Sequence, residues 1–467
     1  MTPKLYSYQQ EGRNFLKSRD RCLLADDMGL GKTAQTLSAL PDRGLVICPP
    51  SLKYNWLDEC NLWRPDLTPI VCEGMGLGRF KWPDKGQLVI CGYNQIPDSF
   101  NPPPHKSGFA SGDKSEKAKR ARAKLKKARQ DFQKFCESQE QFASWTVLVA
   151  DEIQYVKNPK SKRSRKFRIL SAMAKCTWGL TGTPMPRGNA DDLYGILKSM
   201  HLEDRVFTNF AHFNRVAGFK YERKGHFTNK IPGTPTPEFH ELVKLHMLRR
   251  TKEIAAPDLP PKSYRTLTVD LSKEATKALD SVPKDLVDRI KKIPGEQLIQ
   301  VASLPEFSEF AKCRKLIARA RIPALLEIVE MYEDQGIRPL VFSAHREPIE
   351  ALAERENWGV IIGGMKAEDK QEICRKQKDL AGVALTIGAG NSGLNLASFS
   401  HMIFVDRGWD CTENAQAEDR MHRHGQTADN VFYTDLTSAH PLDKLVTEKL
   451  AKASRNIKIV IDGKEGI

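Results

Sequence analysis

Two series of short apolar runs, each alternating with helical patterns, restrict this chain more than any other feature. The first third carries "RCLLAD", "GLVICPP", "QLVICGY" and "WTVLVADE"; the second series starts at "RPLVFSAHR", continues through "GVIIGG", "GVALTIGAG" and "HMIFVDRG", and closes with a strand at "NVFYTDL". Such alternation reads as βαβ units of parallel sheet, whose ligands collect beyond the carboxyl ends of the strands. Two α/β lobes in tandem are therefore expected. Between them, from about Pro186 to Ile322, the sequence is polar and reads as helical, with the proline-rich "PDLPPKSY" as the connection out of the first lobe. The expected division is 1–260 for the first lobe, 261–310 for a linking helical segment and 311–467 for the second lobe. Within the first lobe, "PPPHKSGFASGDKSEKAKRARAKLKKARQ" breaks the pattern with Pro, Gly and Ser and then becomes a lysine- and arginine-rich helix, read as an insertion without a wide apolar stripe.

The 467 residues suffice for two or three domains with sizeable cores. The 73 Lys and Arg against 58 Asp and Glu leave a formal charge of +15. This bias favours a polyanionic partner, nucleic acid before anionic membrane. Ten cysteines without a Cys-x-x-Cys pair fit reduced thiols rather than a zinc knuckle or a disulfide framework. The segment "MTPKLYSYQQEGRNF" lacks the apolar core of a signal peptide, and no apolar run approaches the roughly 20 residues that span a bilayer. An intracellular, soluble protein is expected.

Three motifs carry chemistry. In "LLADDMGLGKTAQT", Gly29, Gly31, Lys32 and Thr33 stand where a phosphate loop needs close backbone approach, a lysine for the β- and γ-phosphates and a hydroxyl for Mg²⁺, although Asp26 takes the place of the first glycine. "TVLVADE" ends a β-branched run in Asp151 and Glu152: one carboxylate suits Mg²⁺ and the next an attacking water, while an acidic cap after a buried strand is the plainer use of the same pair. "QAEDRMHRHGQ" spaces Gln416, Arg420 and Arg423 at i, i+4 and i+7, one face of a helix, which reads either as a salt-bridged surface or as arginine fingers for a transferring phosphate. "NPKSKRSRKFR" places six basic residues just after the two carboxylates, either as a DNA-facing surface or as a solvated helix face.

Taken together and in order, these motifs resemble those of Swi/Snf-type ATPases of helicase superfamily two, from near residue 5 to near 450. "LYSYQQEG" is similar to the adenine-reading Q motif, "ADDMGLGKTAQT" to motif I, "VICPPSLKYNW" to Ia, "DEIQYVKNPKSKR" to II, "LTGTPMPRGNADDLY" to III, "VFSAHR" to IV, "GAGNSGLNLAS" to V and "QAEDRMHRHGQ" to VI. "MLRRTKE…LPPK" and "ARIPALLEIVE…RPLVFSAHR" look most like the HepA-related annealing-helicase branch. The resemblance implies two tandem RecA-like lobes and an ATPase that uses ATP and Mg²⁺ to move along double-stranded or forked DNA. It further implies nucleotide binding by Gln9, Asp27, Gly29, Gly31, Lys32, Thr33 and Gln416, Mg²⁺ at Thr33 and Asp151, and catalysis by Lys32, Asp151, Glu152, Arg420 and Arg423. Coupling to DNA falls to Gln154, Thr181 and Thr183, and sequence-independent phosphate contacts to Pro50, Ser51, Asn55, Gly390, Asn391 and Gly393. A monomer of a prokaryotic cytoplasm or nucleoid, or of a phage-infected cell, is the matching expectation. Gln154 departs from the pattern, which has histidine there. A nucleotide-gated DNA clamp with little turnover and an RNA remodeller of the same superfamily are the rival readings.

Overall fold

The computed structural model describes residues 3–74, 80–104, 114–144, 146–186, 188–224, 227–281, 284–293, 308–390 and 394–462. They form two compact units, the second beginning in the main at Lys252. The first unit contains α1 (Ser7–Lys17), β1 (Arg21–Leu24), α2 (Lys32–Ala39), β2 (Arg43–Cys48), α3 (Lys53–Trp63), β3 (Thr68–Val71), β4 (Gln87–Gly92), α4 (Glu116–Ala143), β5 (Val147–Asp151), α5 (Lys162–Met173), β6 (Cys176–Leu180) and α6 (Ala190–Ser199). A hairpin follows, β7 (Lys220–Lys224) with β8 (Phe227–Ile231), and then the two-residue β9 (Met247–Leu248).

Seven strands make one parallel sheet in the order β3-β4-β2-β5-β6-β1-β9. Leu45 to Cys48 of β2 and Leu148 to Ala150 of β5 have no exposed surface, as strands covered by helices on both faces require. Trp56 and Cys60 seat α3 on this core. The second unit has its own parallel sheet, in the order β10 (Lys262–Thr268), β15 (Val431–Thr437), β14 (His401–Phe404), β11 (Pro339–Ser343), β13 (Gly382–Thr386) and β12 (Trp358–Ile361). Leu340, Phe342, Leu385 and Phe404 lie in its core, and α7 (Ile322–Asp334) covers one face through Leu325 and Val329. Each unit is thus an α/β lobe built on a parallel sheet flanked by helices, the fold class read from the sequence.

The stretch from Pro186 to Ile322 is not uniformly helical. It holds the β7–β8 hairpin, β9 and β10. β9 adds only two residues to a sheet edge, and β10 ("KSYRTLT") is a polar edge strand with Arg265 and Thr266 exposed, so neither shows the apolar run of an interior strand. All ten cysteines are free thiols. Among the described residues no helix is long and apolar enough to cross a membrane.

The approach of α1 to α2 depends on Gly12, where an added Cβ would overlap the Gln35 side-chain oxygen and stand 2.9 Å from Arg250 Nη2. Gly12→Ala is expected to cost about 1–3 kcal/mol of stability by overpacking, read by denaturant titration. Gly363→Ala, with no atom within 4 Å of the new methyl, should change stability by less than about 0.5 kcal/mol.

Candidate nucleotide site

β5, β6 and β1 are neighbours in the first sheet, and their carboxyl ends lead into the three segments that carry the motifs. After β1 the chain turns through Gly29 and Gly31, at φ 81° and 71°, a left-handed backbone that glycine adopts without a Cβ penalty. Gly31 caps α2, whose first residues are Lys32 and Thr33. Asp26 has no such φ, so the turn does not require glycine there. Its carboxylate is fully buried instead and receives Arg250 through Nε at 3.0 Å and Nη2 at 2.6 Å, with Gln35 Nε2 at 3.1 Å. Arg250 also donates to the carbonyl of Tyr8 and to Glu11, 3.3 Å away.

Lys32 Nζ donates to the carbonyls of Asp26, at 2.7 Å, and Asp27, at 3.0 Å. Burial pulls this ammonium below the ordinary lysine range, opposed by the charges of Glu152, Asp26, Asp151 and Asp27. Asp27 is held by Arg249 at 3.0 Å. Gln9, buried on α1, accepts the Tyr6 N–H at 3.0 Å and lays its amide nitrogen where a side chain on Gly31 would stand. That contact brings Gln9 onto the glycine turn.

At the end of β5, Trp56 Nε1 donates to Asp151 Oδ2 at 2.8 Å and the Glu152 N–H to Oδ1 at 3.0 Å. Desolvation, and then the Glu152 charge, push the Asp151 carboxyl up to about 7, against the Trp56 hydrogen bond and Lys32. Glu152 itself takes a left-handed φ of 50°, uncommon outside glycine, and its carboxylate accepts from Gln154 Nε2 at 2.5 Å. After β6, the Thr183 N–H donates to Thr181 Oγ1 at 2.9 Å. Gln154 Oε1 and Thr183 Oγ1 are buried without a hydrogen-bond partner among the described residues, two polar atoms whose desolvation is uncompensated. Hard oxygen donors at Thr33 and Asp151, next to a lysine and two glycines of open φ, fit a Mg²⁺–triphosphate, an ion that keeps water and phosphate oxygens among its ligands.

Pro50 and Ser51 form a short turn at the carboxyl end of β2, and Asn55 lies in the first turns of α3. Three of the six basic residues after Glu152 are engaged by the first unit itself: Lys166 is buried against the Ile96 carbonyl and Asp98, Lys162 pairs with Asp98 at 2.8 Å, and Arg163 reaches Asn94. They fasten α5 to the loop after β4.

In the second unit, Gly390 closes a short helix after β13, while Asn391 and Gly393 lie outside the described residues. Gln416 is buried in α8 (Cys411–Glu418). The expectation of one helical face for Gln416, Arg420 and Arg423 is corrected here, because α8 ends at Glu418 and both arginines follow in turns. Asp419 leaves the helix to meet Lys252 at 2.6 Å and Lys262 at 3.4 Å, and these ion pairs fix the turn. The Arg423 guanidinium donates to the Leu394 carbonyl at 3.3 Å.

Four groups escaped sequence reasoning as site residues: Arg249, Arg250, Trp56 and Tyr93, whose hydroxyl donates to the Asp151 carbonyl at 2.9 Å. A buried aspartate at the loop's first position was the one signal available, since such a charge demands a cationic partner.

A family model described as the SNF2-related domain matches residues 8–314, and the Helicase conserved C-terminal domain matches 320–425. Relatives include the DNA annealing helicase and endonuclease ZRANB3 of Homo sapiens, 25% identical over 99% of this chain and 41% of that protein. The ISWI chromatin-remodeling complex ATPase ISW1 of Saccharomyces cerevisiae is 24% identical over 98% of this chain and 40% of its own. The putative ATP-dependent helicase/translocase YwqA of Bacillus subtilis is 25% identical over 90% and 45%. This chain spans about two fifths of the length of these relatives. A solved Sulfolobus solfataricus SWI2/SNF2 ATPase core in complex with dsDNA is 22% identical, with a TM-score of 0.40 over 99% of this chain and 94% of that one.

The raised Asp151 pKa has a measurable consequence in the nucleotide-free protein. Between the unfolded value near 4 and the folded value near 7 the native state binds the extra proton, so stability attributable to this group falls as pH rises through that window. Asp151→Asn should therefore raise the melting temperature at pH 8 by several degrees and lose that advantage towards pH 5, as followed by thermal unfolding across pH.

Proposed function

The chain belongs to the SNF2-related family of helicase superfamily two, and on that premise we propose that it is a DNA-dependent ATPase that converts ATP hydrolysis into movement along duplex or forked DNA. The observation that carries this reading is the gathering of Lys32, Asp151, Glu152, Gln154 and Thr183 at the carboxyl ends of the adjacent strands β1, β5 and β6. In this reading Gln9 reads adenine, and Gly29, Gly31 and Asp27 shape the loop around the phosphates that Lys32 grips. Thr33 and Asp151 hold Mg²⁺, which when bound neutralises charge on the β- and γ-phosphate oxygens. Glu152 orients and deprotonates the attacking water, its bond from Gln154 sets the carboxylate's direction, and Gln154, Thr181 and Thr183 couple the site to DNA. Gln416 adds a nucleotide contact, and Arg420 and Arg423 supply fixed positive charge to the transition state. Pro50, Ser51, Asn55, Gly390, Asn391 and Gly393 contact phosphate oxygens without reading bases, so binding is sequence-independent and weakens with salt.

The name of the ZRANB3 relatives points to annealing, and reannealing or translocation is the reading favoured for this chain. The Gln154–Glu152 bond favours one rival, a nucleotide-gated clamp in which the water-activating carboxylate stays engaged. One titration of ATPase activity with duplex, forked and single-stranded DNA and with RNA separates the readings. Stimulation by duplex or forked DNA is expected; DNA binding without turnover would establish the clamp, and preferential stimulation by RNA an RNA remodeller.

Two substitutions test the roles. Lys32→Ala should abolish DNA-stimulated hydrolysis while nucleotide-free DNA binding stays near wild type; retained turnover would remove the phosphate loop from the account. Arg423→Ala should lower kcat by roughly 10³ with little change in ATP affinity, as a group acting mainly in the transition state does. A pure affinity loss at normal kcat would place Arg423 outside the reaction.

A further inference from the structure

Helix α4 carries its charge in two unequal halves. Eight of the thirteen residues from Lys117 to Arg129 are Lys or Arg with no acid among them, whereas 130–143 hold one lysine against Asp131, Glu137 and Glu140. The second half is anchored: Phe135 meets Phe100 edge-on at 5.0 Å between ring centroids, and Trp82 Nε1 donates to Gln139 at 2.8 Å. The first half leans on the unit through a narrow stripe, with Ala118 buried and Ala121 and Leu125 partly covered, a stripe thinner than an amphipathic helix shows and hidden from sequence reading by its alanines. Lys117, Lys119, Arg120, Lys124, Lys126 and Lys127 are exposed.

This arrangement works against the helix that bears it. Cations crowd the amino-terminal half, where the helix dipole disfavours them, and Arg120–Lys124 and Arg122–Lys126 are like-charged pairs at i, i+4. A Ser115 cap on the Ala118 N–H and a Lys119–Glu116 pair offset part of this cost. An anion laid along the helix would relieve the remainder. A membrane surface needs large apolar side chains facing the lipid, but the apolar stripe here is turned to the protein. A rigid row of cations about 20 Å long instead suits consecutive phosphates of a nucleic-acid backbone.

We propose that the Lys117–Arg129 half of α4 is an auxiliary electrostatic arm that binds the phosphate backbone of duplex DNA outside the motor's own motifs. The inference rests on the DNA-dependent ATPase reading and adds to it a second, sequence-independent contact that raises occupancy without taking part in hydrolysis.

The test replaces Arg120, Lys124, Lys126 and Lys127 by Gln in the full chain and follows duplex binding by fluorescence anisotropy at several salt concentrations, with ATPase activity at saturating DNA. Each lost phosphate contact flattens log K against log salt by about 0.9, so the slope should fall by roughly 2–4 and affinity near 0.1 M salt by about tenfold or more. kcat should stay within about twofold of wild type. Lys124→Gln/Lys127→Gln should give about half the flattening, and Lys124→Arg/Lys126→Arg/Lys127→Arg none, which separates charge from a folding defect. A variant slope unchanged from wild type, where duplex DNA does stimulate the wild-type chain, overturns the arm alone. Loss of binding to phosphatidylserine vesicles with duplex binding intact overturns it in favour of a lipid surface. A wild-type chain without duplex affinity overturns both the arm and the reading beneath it.

Discussion

The buried pair of Asp26 and Arg250 is the constraint from which the candidate nucleotide site takes its shape. Asp26 is wholly out of water and Arg250 nearly so, and the guanidinium meets the carboxylate through two nitrogens. From the same guanidinium, bonds run to Gln35 on α2 and to the Tyr8 carbonyl on α1. Around it, the N–H groups of Leu23, Ala25 and Asp27 donate in turn to the carbonyls of His246, Leu248 and Arg250. A segment more than 200 residues downstream thereby runs as an edge strand along the limb that enters the glycine turn. Removing one partner of such a pair strands a buried charge at a cost of about 3–5 kcal/mol. A glycine at position 26 would do just that to Arg250, which is the physical reason an acid stands where a phosphate loop commonly begins with glycine.

That frame gives the loop its preorganisation. With Asp26 and Asp27 held by Arg250 and Arg249, their carbonyls are presented to Lys32, and the ammonium waits at the turn rather than in solvent. The same enclosure leaves Asp151 more easily protonated than an ordinary carboxylate and leaves the Gln154 and Thr183 oxygens without partners. Buried polar atoms left without partners beside the strand ends that carry Lys32 and Asp151 would gain from a charged, oxygen-rich ligand.

Much of this was legible in the sequence because the strongest signals are local. Runs such as "GLVIC" and "GVALT" became interior strands, and glycines 29 and 31 adopted the left-handed φ that a tight turn before Lys32 demands. What escaped was non-local or chemically quiet. β9 and β10 are edge strands, too short or too polar to stand out, and α8 stops at Glu418 because Asp419 is drawn to Lys252 and Lys262, partners over 150 residues away in sequence. Trp56 and Tyr93 look like core aromatics until their polar tips are seen to end on Asp151. The basic run around α5 reads as a nucleic-acid surface, yet two of its lysines, Lys162 and Lys166, end on Asp98 and the Ile96 carbonyl.

The most direct measurement is a double-mutant cycle on Asp26→Ala and Arg250→Ala, read as the affinity of the full chain for a non-hydrolysable ATP analogue with Mg²⁺. If the pair shapes the phosphate loop, each single substitution should weaken nucleotide binding by tenfold or more, and the double variant should lose much less than the product of the two, a coupling of about 1.5 kcal/mol or greater. Two single variants that bind the analogue like wild type, or effects that simply multiply, would contradict it.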